Sequence, residues 1–164
     1  DGTPAMVNGD EFAAAQCLGA LENDGSAVLV EAYGGAYAPD DCRFSTLTGI
    51  PTLLGWRNHE GQWRGATYPD VTDARYENGV YRDRSVDIEE LYSTQDWSTA
   101  WSIIDRYSID YIVVGNSERT LIRQMSNGDQ TLLSTYERGL DKFAQVLVPV
   151  CLSGSTAVYR VAPQ

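Results

Sequence analysis

The stretch that most constrains this chain is Tyr111-Ile112-Val113-Val114, a short apolar, β-branched run followed at once by Gly115-Asn116-Ser117. This run reads as the clearest strand in the sequence. The Gly-Asn-Ser triplet is turn and cap chemistry, and it opens a helix to about Met125. Upstream, Trp97, Ala100, Trp101 and Ile104 recur at helical spacing behind a cap at Thr94 or Asp96. Residues 86–92 (VDIEELY) form a short amphipathic piece before that helix. Helix–strand–helix at this spacing predicts an α/β fold, a three-layer sandwich with a largely parallel sheet.

The flanks fit such a fold. Asn8 with Glu11 three residues on has the spacing of a capping box and predicts a helix to about Glu22. Asn23-Asp24-Gly25 ends it, and Ala27 to Tyr33 then reads as a buried strand that turns at Gly34-Gly35. Residues 66–84 show little periodicity and read as a surface loop, long enough to be functional. Leu132 to Phe143 predicts a helix broken or bent at Gly139. Two apolar strands, Gln145–Leu152 and Ala157–Val161, joined by Ser153-Gly154-Ser155, predict a C-terminal hairpin. With no repeat or linker, residues 1–164 read as one domain.

Charge and composition exclude several function classes. A net charge of −11 disfavours nucleic acid, whose phosphates need clustered Lys and Arg, and disfavours anionic membranes. No run of apolar residues is long enough to span a bilayer, and Asp1-Gly2-Thr3 does not start a signal peptide. The absent initiator Met suggests a piece of a longer chain. Cys17, Cys42 and Cys151 leave three single bridges open. A Cys17–Cys42 bridge would close a loop of about 25 residues and stabilise by roughly 3 kcal/mol. Three separate buried thiols fit equally well.

One segment is too polar for plain core. Arg43–Gly65 holds two of the four Trp, the only His and three arginines beside a Gly-Ile-Pro corner. His59-Glu60 starts like the zinc motif H-E-x-x-H, but Trp63 stands where the second His belongs, so no metal is expected. Neither a G-x-S-x-G nucleophile, a Walker A loop nor a G-x-G-x-x-G turn occurs, so no cofactor and no catalytic residue is assigned. What remains suits a polar ligand. Trp rings cover the C–H faces of a sugar, while arginine, imidazole and carboxylate groups bind its hydroxyls or phosphate. A cleft at the C-terminal ends of parallel strands would be lined by Glu31, Tyr33, Arg43, His59, Glu60, Trp63 and Arg64. The same residues admit a plain packing reading, with Trp56 and Trp63 in the core and Glu60–Arg64 as an i,i+4 pair. The charged run from Arg82 to Glu90 reads as a solvated face.

The series Arg43-x-Ser45-x-x-Thr48-Gly49-Ile50-Pro51-Thr52-x-Leu54-Gly55-Trp56-x-x-His59-Glu60-x-Gln62-Trp63-Arg64 resembles the extracytoplasmic region of the chloroflexal and archaeal YYY membrane proteins. These large polytopic proteins are related to GT-C-type glycosyltransferases. Asp87-Ile88, Leu91-Tyr92, Tyr111–Gly115 with Glu118-Arg119, Leu140 with Lys142-Phe143, and Tyr159-Arg160-Val161 extend the likeness over nearly the whole chain. The resemblance implies a soluble domain on the extracytoplasmic side of a cell membrane, docked on the transmembrane helices of its own parent. It further implies a recognition role towards a sugar or lipid-linked sugar, with catalysis elsewhere in the parent. Two other functions stay open: a hydrolase or transferase using Glu60 with His59, and a purely structural or interaction module.

Overall fold

The computed structural model describes residues 8–22, 25–35, 40–56, 59, 62–63, 73–75 and 81–162. Among these, six helices accompany a four-stranded sheet and a separate two-stranded ribbon. Helix α1 spans Gly9–Leu21, α2 Arg43–Thr48, α3 Arg84–Ser93, α4 Trp97–Tyr107, α5 Asn116–Met125 and α6 Gln130–Val146. The strands are β1 (Leu29–Val30), β2 (Asp73–Arg75), β3 (Tyr81–Asp83), β4 (Tyr111–Val114), β5 (Val148–Ser153) and β6 (Thr156–Arg160). Residues 66–84, read from sequence as a surface loop, include β2 and β3, which pair antiparallel with Ala74 opposite Arg82.

The sheet runs β1-β4-β6-β5 and is mixed, which corrects the expectation of a largely parallel one. Only β1 and β4 are parallel; β6 lies antiparallel to both β4 and β5. The C-terminal hairpin is present as expected, turning at Gly154 with φ 53. It slots in beside β4, so its return strand reverses the sheet's direction there. The strand expected over 27–33 is regular only at Leu29–Val30, although isolated parallel bridges join Leu29 to Thr52 and Gly34 to Trp56.

Strand residues alternate between two apolar clusters, as a period of two demands. Leu29, Tyr111, Val113 and Val158 pack with Ala14, Ala15 and Leu18 of α1 and Phe44 of α2. Val30, Ile112, Val114, Ala157 and Tyr159 pack with α3 to α6. The caps read from sequence hold at Asn8, whose side chain accepts from Asp10 N, and at Asp96, which accepts from Ser98 and Thr99. Glu11 does not complete a capping box, for it is 3% exposed and turned inward. Asp87 leaves the solvated face assigned to it as well; fully buried, it accepts from Tyr107 Oη at 2.6 Å and Arg106 Nη1 at 3.4 Å.

Helix α6 runs unbroken through Gly139, where a bend was expected. Gly139 is needed for closeness instead, since a Cβ there would overlap the Ser93 carbonyl at the end of α3. Three residues on, the chain's single lysine, Lys142, donates to the carbonyls of Leu91 and Gly139. Its ammonium thus sits at the negative end of α3, and burial lowers its pKa to about 7. Gly139→Ala is expected to cost about 1–3 kcal/mol by forcing α6 off α3. A urea-unfolding midpoint equal to that of the parent protein would show that the two helices separate freely.

Candidate functional site

Four charged residues from four segments meet beneath the C-terminal ends of β1 and β4. Arg43 is 1% exposed and pairs through Nη2 with Glu11 at 2.6 Å and Glu118 at 2.8 Å. Its Nη1 lies 3.6 Å from Glu31. The sequence explains how each arrives. Glu31 follows β1 directly, Arg43 opens α2, and Glu118 sits in the first turn of α5, where a carboxylate suits the helix dipole. The carboxylates also satisfy backbone amides that would otherwise be buried without partners. Glu31 accepts from Phe44 N and Ser45 N, both at 2.9 Å, at the start of α2. Glu118 accepts from Ala32 N and Gly115 N, both at 2.7 Å, and Glu11 from Asn116 N at 2.9 Å. Gly115 lacks a side chain where a Cβ would meet Arg43 Nη2 and Glu11 Oε1 at 2.7 Å.

Three buried carboxylates share one guanidinium, and the protonation of Glu31 and Glu118 reflects it. Burial pushes Glu31 up to about 7, against the pull of Arg43 and the Ser45 and Phe44 amides. Burial opposes charge on Glu118 too, yet Arg43 and the amides of Ala32 and Gly115 win and hold it below the usual carboxylate range. The two groups act oppositely on stability. Folded Glu31 holds a proton that the unfolded chain has lost between about pH 4.5 and 7, so its contribution falls as pH rises through that window. Glu118 contributes above its unfolded pKa and loses that contribution in acid. Cys42, at the foot of α2, is a free buried thiol that burial pushes up to about 12.

A cleft of about 390 Å³ opens above this cluster, at the strand ends where ligands enter α/β sheets. Tyr33, Asp40, Asp41, Asn116, Thr120 and Gln124 line it, and among the described residues no Lys or Arg does. The amide donors of Gly115 and Asn116 are already taken by Glu118 and Glu11, so the start of α5 offers little to an anion. Carboxylates, amides and hydroxyls around a small hollow match a polyol instead. The hollow continues past Tyr33, Leu121 and Gln124 towards Glu89 and Tyr136. A larger cleft, about 530 Å³, opens at the opposite strand ends, but two of its carboxylates are engaged: Asp110 accepts from Val28 N and Glu22 from Tyr111 Oη.

The residues expected to line one cleft divide into four groups. Tyr33 does line it, with its hydroxyl donating to Glu89. Glu31 and Arg43 lie sealed beneath it, because Arg43 is held by three carboxylates and Glu31 by the amides at the start of α2. His59 is half-buried and Trp63 is 77% exposed; Glu60 and Arg64 lie outside the described residues. The rings of Trp56, His59 and Trp63 form a chain, with centroids 6.3 Å apart for Trp56–His59 and 5.6 Å for His59–Trp63. The Gly34–Trp56 bridge sets the Trp56 backbone next to the cleft, since Gly34 is part of its wall, but none of the three rings is among the lining residues.

Sequence reasoning missed Asn116, Thr120 and Gln124, which stand far from the His59 motif. The signal was there in Gly115-Asn116-Ser117, the strand-to-helix boundary after the strongest strand, where open α/β sheets bind ligands. Among the described residues no group of His, Cys, Asp and Glu is placed to hold a metal. The chain matches no family model, no curated protein and no solved structure.

Proposed function

We propose that this chain is an extracytoplasmic recognition domain of a membrane glycosyltransferase-like protein. It binds a sugar, free or lipid-linked, and leaves catalysis to the rest of its parent. The observation that carries this reading is the exposed indole of Trp63, which meets His59 at a tilt as His59 meets Trp56 edge-on, next to a polar cleft that no Lys or Arg lines among the described residues. An indole 77% exposed has little packing role, whereas its flat face beside clustered hydroxyl and carboxylate groups is what a pyranose ring requires.

Further support comes from the Cys17–Cys151 disulfide, since such bonds persist in oxidising compartments outside the cytosol. Among the described residues no helix is long and apolar enough to cross a membrane, so on this reading the anchoring helices belong to other parts of the parent. The two apolar clusters fed by alternate strand residues favour a three-layer arrangement of the domain.

Trp63→Ala is expected to weaken sugar binding about tenfold, the loss of one ring-stacking contact. Its melting temperature should stay within about a degree of the parent's, as for other surface substitutions. Titration of mono- and oligosaccharides by NMR, with thermal melts of the same samples, measures both. A large drop in melting temperature would return Trp63 to a packing role. Hydrolysis of a glycoside by the isolated domain would transfer the catalytic role to it.

A further inference from the structure

A second cleft, of about 350 Å³, lies between α5 and α6 over the ends of β4 and β6. Helix α5 contributes Arg119 and Arg123, one turn apart; α6 contributes Glu137 and Asp141, also one turn apart. Tyr159, 8% exposed, and Leu140 form its apolar floor. This is a different face of α5 from the one that carries Asn116, Thr120 and Gln124.

Two arginines opposite two carboxylates would ordinarily pair across the gap. Here, among the described residues, no ion pair joins them; the ion pairs present centre on Arg43 and Arg106. Arg119 Nη1 is buried and has no hydrogen-bond partner. A buried guanidinium donor left unmade is costly, so something polar should fill the gap between the walls.

The charges select what that is. A simple anion would face Glu137 and Asp141 in a chain of net charge −11. A simple cation would face Arg119 and Arg123. A small molecule with an anionic group at one end and an ammonium at the other satisfies both walls. The volume lies near the lower end for ligand pockets, which restricts the choice to a compact molecule.

We propose that this cleft binds a small zwitterion, its phosphate or carboxylate held by Arg119 and Arg123 and its ammonium by Glu137 and Asp141. That chemistry occurs in free amino acids, in phosphoethanolamine and in the headgroup of phosphatidylethanolamine. The proposal is independent of sugar binding at the other cleft.

The test titrates the intact chain with O-phosphoethanolamine, 4-aminobutyrate and inorganic phosphate by calorimetry, and with phosphatidylethanolamine or phosphatidylglycerol vesicles by co-sedimentation. Saturable binding of at least one zwitterionic probe, weakened about tenfold or more in Arg119→Gln, is expected. The probe that binds distinguishes a soluble ligand from a lipid headgroup. Should Arg119→Gln fail to fold, exposed Arg123→Gln must show the same loss. The proposal is overturned if no zwitterion binds at millimolar concentration, if inorganic phosphate binds as tightly as phosphoethanolamine, or if the arginine variant that folds leaves binding unchanged.

Discussion

Reduction of the Cys17–Cys151 disulfide should lower the unfolding free energy by about 5 kcal/mol. The bond ties α1 to β5 across a sequence separation of 134 residues. Loop-closure entropy grows slowly with loop length, and for a closed loop of this size it comes to roughly 5 kcal/mol at 25 °C. Typical domains are stable by about 5–15 kcal/mol in total, so the reduced protein is expected to be marginal. Strand β5 is also the edge of the sheet, held on one side by β6 alone, so the tether to α1 protects the element most easily lost. Guanidinium unfolding with and without a thiol reductant, together with Cys17→Ala/Cys151→Ala, measures the effect. An unchanged midpoint would mean that the unfolded chain is already compact enough for the tether to add nothing. Native-state thiol labelling should detect no reactive group, because Cys42 is buried and its pKa is raised.

Arg43→Met should cost about 3–5 kcal/mol near pH 8, the usual result of removing one partner from a buried ion cluster. Methionine fills similar volume, so the loss reads charge rather than a cavity. Without the guanidinium, Glu11, Glu31 and Glu118 face one another in the interior. The folded-state affinity of Glu31 and Glu118 for protons rises, because Arg43 no longer lowers it, and the folded protein then binds more protons than the unfolded chain. Stability must therefore fall as pH rises, and the deficit should be smaller at pH 5 than at pH 8. Urea unfolding across that range tests the sign. A deficit below about 1 kcal/mol, or one indifferent to pH, would show that the cluster is far better hydrated than its burial indicates. If the cleft binds a sugar as proposed, this substitution should also weaken that binding, because Glu118 and Glu11 hold the Ala32 and Asn116 amides at the cleft. Trp63→Ala should weaken the proposed binding while keeping stability, so the two variants together separate the floor of the site from its rim.

Much of the local structure was legible in the residues. Asn8 and Asp96 cap helices as their chemistry requires, the run Tyr111–Val114 is a fully buried strand, and Gly154 turns the closing hairpin. Each depends on interactions within a few residues, and such interactions are written in the order of the chain. The site was legible only in part. Tyr33, named because it closes the first strand, does line the cleft, whereas Trp63 is exposed and is not among the residues lining it. Asn116, Thr120 and Gln124 were not found, because their polar face looks like any solvated helix until the end of β1 is laid beside it.

The amino-acid order alone thus determined most of the segments that coil or extend, though not α2 nor the ribbon of β2 and β3. Tertiary structure decided which strand lies beside β4, which two cysteines join, and that Glu11, Glu31, Arg43 and Glu118 belong inside. A charged residue enters a core only in company, and this company comes from residues 75 apart for Arg43 and Glu118 and 32 apart for Arg43 and Glu11. Desolvation of any one of them is prohibitive, while desolvation of all four together is tolerable. That difference belongs to the assembled group, so no reading of single residues or short windows contains it.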